Sequence, residues 1–117
     1  MSRRGENPET DITKQIRWIL DLLKIRHFKH FAGPLGERGI PDLICVIPPD
    51  GKSLYIEVKT PTGQVSDEQQ AFLDKVRAAG AVAFVARSPH DVINALTAAG
   101  FKPAERIKMQ FPGRPGA

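Results

Sequence analysis

Apolar residues at Ile12, Ile16, Ile19, Leu20 and Leu23 recur at helical spacing, which predicts an amphipathic helix over residues 11 to about 24 with that stripe buried. The polar residues 1–10 ahead of it include a Gly and a Pro and predict a flexible arm. Arg26-His27-Phe28-Lys29-His30-Phe31 alternates polar and apolar positions, the pattern of a half-exposed strand. Residues 33–39, with three glycines and a proline, break regular structure and predict a loop. Leu43-Ile44-Cys45-Val46-Ile47 is apolar on both faces and predicts a strand covered on both sides. Pro48-Pro49-Asp50-Gly51 has turn chemistry, so residues 53–59 follow as the second strand of a hairpin, ended by Thr60-Pro61-Thr62-Gly63.

Ser66 with Gln69 three residues later forms a capping-box pattern, and the helix it opens should run to Ala79 and stop at Gly80. Ala81-Val82-Ala83-Phe84-Val85-Ala86 predicts a short strand. A last helix should start near Ser88, with Pro89 at its first position, and end at Gly100. Pro103, Pro112 and Pro115 mark residues 101–117 as an irregular basic tail. The order αβββαβα predicts an α/β fold, a mixed β-sheet flanked by helices on both faces, within one domain spanning residues 11–100.

A chain of 117 residues, 41% hydrophobic and 26% charged, suffices for one globular domain with its own core. One cysteine excludes an internal disulfide, and with three scattered histidines it makes a poor zinc ligand set. No apolar run approaches the roughly 20 residues of a membrane span, and the N-terminus lacks the apolar centre of a signal peptide. A cytoplasmic protein is expected. The net charge of +4 suits a polyanionic partner. Lys24, Arg26, Lys29 and Arg38 cluster in sequence with Glu37 the one acid among residues 24–38, and they are the candidate DNA-binding cations.

Parity along the hairpin carries the chemistry. Glu57 and Lys59 project from one face of the second strand. Asp42 starts the first strand; one placement of the turn sets it opposite Lys59, the other opposite Glu57, and both gather the three on one patch. Two carboxylates and an ammonium at the end of an apolar hairpin suit Mg²⁺ and a phosphate ester. An ordinary cross-strand ion pair on a solvated face accounts for the same spacing.

Pro41-Asp42 followed by Glu57-Val58-Lys59 resembles the PD-(D/E)XK pattern of a nuclease superfamily. With Gly39-Ile40-Pro41-Asp42-Leu43, Ile56-Glu57-Val58-Lys59, Ser66-Asp67-Glu68-Gln69 and Ala79-Gly80 before a strand, the chain is similar to the VRR-NUC family over about residues 11–92. The resemblance implies a restriction-endonuclease-like fold and Mg²⁺-dependent cleavage of DNA, with Mn²⁺ able to substitute. Small stand-alone members resemble Holliday junction resolvases, which implies branched DNA as substrate and a homodimer. It further implies Asp42, Glu57 and the Val58 carbonyl as metal ligands, Lys59 as catalytic, and Gln69 beside the metal site.

Gln69 also shares the inward face of its helix with Phe72, Leu73 and Val76, although a capping-box Gln bonded to its own N-cap explains it equally. Family members usually offer a Glu from the first helix; here Glu9, Asp11 and Gln15 are the candidates. Cys45 reads as a core residue, Trp18 as partly buried, and Tyr55 has the parity to line the cleft. His27 and His30 are exposed strand positions or phosphate contacts. Two other readings remain: a non-catalytic DNA-binding module of the same fold, and a nuclease for flaps, nicks or plain duplex.

Overall fold

The computed structural model describes residues 7–31 and 36–110. Helix α1 (Pro8–Leu22) leads to strands β1 (Arg26–Lys29), β2 (Leu43–Ile47) and β3 (Lys52–Val58). Helix α2 (Asp67–Ala78), strand β4 (Val82–Ala86) and helices α3 (Pro89–Ala98) and α4 (Pro103–Gln110) follow. The strands form one sheet in the order β1-β2-β3-β4, antiparallel except for the parallel β3–β4 pair. The fold is the mixed α/β sandwich that the residue pattern predicts, with one more helix.

Side-chain alternation divides the sheet. Leu43, Cys45 and Ile47 of β2 and Leu54, Ile56 and Val58 of β3 join Ile16, Leu20, Val92 and Leu96 of α1 and α3 in one apolar core. On the other face Tyr55 meets Phe72 of α2 edge-to-face, with ring centroids 5.6 Å apart. α2 reaches the β3–β4 half of that face, so Val46 on β2 stays 42% exposed and β2 is covered on one side, not both.

The ends of α1 differ from expectation in instructive ways. Asn7 caps it by accepting the Glu9 and Thr10 N–H groups at 2.7 and 3.3 Å, and Pro8 is its first residue, so 8–10 are helical, not part of an arm. Residues 1–6 of the expected arm lie outside the described residues. At the other end Ile25 N–H reaches Leu20 O and Lys24 N–H reaches Asp21 O. This is a Schellman closure with Lys24 in the left-handed position, φ 58°.

The expected irregular tail is also corrected. Pro103 opens α4 and does not break it, because a proline at the first helical position loses no intrahelical bond. Phe101 and Ile107 pack against the core, and Arg106 Nε donates to Leu23 O at 3.1 Å. Residues 111–117 lie outside the described residues, as do 33–35 of the expected 33–39 loop.

Candidate active site

The hairpin closes with Ile47 paired to Lys52, leaving Pro48-Pro49-Asp50-Gly51 as its loop. Gly51 takes a φ of +79° that its lack of a Cβ permits, and its N–H donates to Ile47 O at 2.9 Å. Leu43 pairs with Ile56, so the turn placement that sets Asp42 across from Glu57 is the one adopted. Asp42 is stitched to both neighbouring strands. Its carbonyl accepts His30 N–H at 2.8 Å, and its Oδ2 accepts Val58 N–H at 2.8 Å.

Glu57 is 3% exposed, an unusual place for a carboxylate. Its Oε2 accepts Gln69 Nε2–H at 3.0 Å and lies 3.9 Å from Lys59 Nζ, while its Oε1 is buried with no hydrogen-bond partner among the described residues. Burial, then the charge and carboxyl of Asp42, push the Glu57 pKa up to about 8; Lys59 opposes this, and Glu9 adds a further push. Glu57 is a carboxyl short of positive charge. Lys59 directly follows the strand, with its amide on Ala86 O at 3.0 Å and its side chain 16% exposed.

Gln69 fills both roles that its sequence position allows. Its Oε1 accepts Ser66 N–H at 2.9 Å, its own N–H donates to Ser66 Oγ at 3.1 Å, and its Nε2 is left for Glu57. The capping box therefore aims the amide. Opposite, Gly39 (φ +82°) lies so close to α2 that a Cβ there would overlap the Glu68 carbonyl. That approach closes a cleft of about 320 Å³, lined by His30, Arg38, Asp42, Glu57, Ser66 and Gln69 among others.

The VRR-NUC domain model matches residues 25–90, more than half of the chain. The chain belongs to the VRR-NUC family. A solved structure described as a VRR_NUC domain superposes with a TM-score of 0.67 at 24% identity, covering 79% of this chain and 97% of the other. No curated protein matches the sequence. Family membership makes the chain a nuclease-type domain with DNA as its substrate. Among the described residues no helix is long and apolar enough to cross a membrane.

In this VRR-NUC domain, Asp42, Glu57, Lys59 and Gln69 converge, and Val58 contributes backbone while its side chain sits in the core. Of the first-helix candidates, Glu9 is half-buried and its charge reaches Glu57, whereas Gln15 lines an outer groove with Trp18 and Pro89. Asp11 is half-buried two residues further along α1. Arg38 stands at the cleft mouth, 84% exposed and 3.7 Å from Glu68. Lys29 pairs with Leu43 at the cleft end of β1, its ammonium 5.2 Å from the Phe31 ring centre. Lys24 and Arg26 instead line a hollow with Arg17 and His27 at the far end of the strand.

Other readings change. Trp18 is 65% exposed, because it falls off the apolar stripe of α1. Tyr55 shares the Glu57 face, but Phe72 covers it and it does not line the cleft. His27 turns inward, its Nδ1 3.0 Å from Ile25 O. Cys45 is core, with burial pushing its thiol pKa to about 12. His30, read from the sequence as an exposed strand position or a phosphate contact, lines the cleft with its Nε2 buried and without a hydrogen-bond partner among the described residues. Arg87 escaped sequence reasoning, and no pattern marks it.

Two carboxylates supply hard oxygens of the kind Mg²⁺ takes, and the donorless Glu57 Oε1 fits a cation. Among the described residues no group of three His, Cys, Asp or Glu forms a closed ligand set. Mg²⁺ suits such a sparse set, since it usually keeps water and substrate oxygens in its shell.

Proposed function

We propose that the chain is an Mg²⁺-dependent, structure-selective DNA endonuclease that acts on branched duplexes, four-way (Holliday) junctions foremost. The observation that carries the metal-dependent reading is Glu57: a buried carboxylate with one oxygen lacking a donor among the described residues, beside Asp42 and 3.9 Å from Lys59. Asp42, Glu57 and the Val58 carbonyl would hold the ion, which supplies Lewis-acid stabilisation and a more acidic bound water. Asp42 fixes the backbone of β3 at Val58, Gln69 orients Glu57, and Lys59 sets an ammonium where negative charge builds on the phosphoryl group. Arg38 and Lys29 flank the cleft where the DNA backbone enters. A four-way junction needs two cuts, and one such site per chain makes a homodimer the matching assembly.

A panel of labelled junction, flap, nicked and linear DNAs, with Mg²⁺, Mn²⁺ or EDTA, tests the reading. Lys59→Ala is expected to fold and bind DNA in EDTA as the wild type does, while cleavage in Mg²⁺ is lost. Retained cutting by Lys59→Ala removes its catalytic assignment, and equal cutting of junction and linear duplex removes the branch selectivity. Binding with no cleavage by the wild type in either cation would leave a DNA-binding module; the desolvation cost of Glu57 argues against that outcome, because a pure binder has no use for a buried acid.

A further inference from the structure

The chain after Lys59 makes the turn Thr60-Pro61-Thr62-Gly63, closed by Gly63 N–H on Thr60 O at 3.1 Å. Arg87, the residue after β4, points its guanidinium into this turn. Its Nη1 lies 2.7 Å from Thr60 O and 2.6 Å from Gly63 O. Arg87 is itself anchored, for its backbone N–H donates to Asp91 Oδ2 at 2.8 Å at the start of α3. The turn in turn touches the lysine: a Cβ built on Gly63 would lie 3.6 Å from Lys59 Cδ. The Lys59 stem therefore runs along the glycine of a turn whose two outer carbonyls are held by one guanidinium.

We propose that Arg87 is a positioning residue, which pins the 60–63 turn to the end of β4 so that the turn holds the Lys59 ammonium beside Glu57. A lysine stem rotates about four carbon–carbon bonds, and Lys59 Nζ has one ion-pair partner among the described residues, at 3.9 Å. That single contact does not fix its place. Backbone hydrogen bonding fixes Lys59 N–H on Ala86 O, immediately before Arg87, so the clamp and the strand end form one unit. A guanidinium meets converging carbonyls well, because its donors lie in a rigid plane. Displacement of a reacting group by about 1 Å costs on the order of a hundredfold in rate. The inference rests on Lys59 belonging to a nuclease site.

The test compares wild type, Arg87→Met and Arg87→Lys as full chains. Two readouts are taken: acylation of Lys59 followed by mass spectrometry, and cleavage of a junction DNA in Mg²⁺ with turnover and KM separated. In Arg87→Met, Lys59 should acylate several-fold faster and turnover should fall roughly tenfold to a hundredfold, with KM within about twofold of wild type. Arg87→Lys keeps a donor and should recover part of both. Wild-type turnover in Arg87→Met overturns the proposal, as does a rise in KM matching the loss of rate, which would mark Arg87 as a DNA contact. If Arg87→Met does not fold, Arg87→Lys decides: changes in Lys59 reactivity and turnover that move together support the clamp, and movement of one alone, or of neither, overturns it. A wild type that cuts no DNA would sink the nuclease reading, while the acylation arm still reports whether Arg87 holds Lys59.

Discussion

Gln69 donates a side-chain amide hydrogen bond to the Glu57 carboxylate at 3.0 Å, and does so with the half of the amide that its helix cap does not use. Structural and chemical duties meet in one side chain and can be separated by substitution. Gln69→Glu keeps an acceptor for Ser66 N–H, which a capping box accepts, but sets a second carboxylate against Glu57. We expect α2 and thermal stability to survive while cleavage falls at least tenfold. Gln69→Ala should lose both, with about 1 kcal/mol of stability gone with the hydrogen bond that Ser66 N–H donates to the amide. Thermal unfolding alongside a cleavage assay separates the two.

Glu57 also predicts how stability follows pH. Its folded pKa is raised from 4.5 to about 8, so between those values the folded chain holds a proton that the unfolded chain releases. The group's favourable contribution is full below about pH 4.5 and is lost as pH rises through 8. In EDTA, unfolding free energy should fall by up to about 1.4 kcal/mol per pH unit across that window. Glu57→Gln should flatten the profile, and millimolar Mg²⁺ should restore stability at pH 8 in wild type alone. Denaturant titrations at several pH values check this; parallel profiles for wild type and Glu57→Gln would contradict it.

Gly39 tolerates no side chain. Its φ of +82° and the Glu68 carbonyl against its Cα together exclude a Cβ. Gly39→Ala should cost about 2 kcal/mol or displace the 36–40 segment from α2, and cleavage should drop with it. Denaturant midpoints and the cleavage rate provide the measurement.

Lys24 offers the opposite case. It occupies the left-handed position of the α1 closure at φ 58°, where glycine carries no Cβ penalty. Lys24→Gly should raise stability by roughly 0.5–1 kcal/mol, and because Lys24 lies at the far end of β1 from the cleft, cleavage should change less than twofold. An unfolding midpoint that falls would show that the lysine side chain contributes more than its backbone strain costs.

The convergence of Asp42, Glu57 and Lys59 was legible because alternation along two strands joined by a short loop leaves few arrangements, and both candidate registers shared a face. Ser66 and Gln69 were legible for the same local reason. What the sequence left open or missed depended on contacts between distant parts of the chain. Glu9 reaches Glu57 only because α1 packs across the sheet, and its spacing from the apolar stripe says nothing about that. Arg87 bonds a turn 24 residues away in sequence. Pro103 carried an ambiguous signal, since a proline both breaks a helix and begins one; Ile107 facing the core decides between the two. The exposure of Val46 was hidden because the length of α2 over the sheet cannot be read from β2 itself.

Helix ends are the parts of a fold that open most readily, and the amide that steadies Glu57 belongs to the first turn of α2. With Glu57 acting as proposed, the share of molecules ready to react at any instant follows how often that turn unwinds. Ser66, in the wall of the cleft, governs this share through the cap it gives the helix, which makes a hydroxyl on the helix boundary a rheostat for the site.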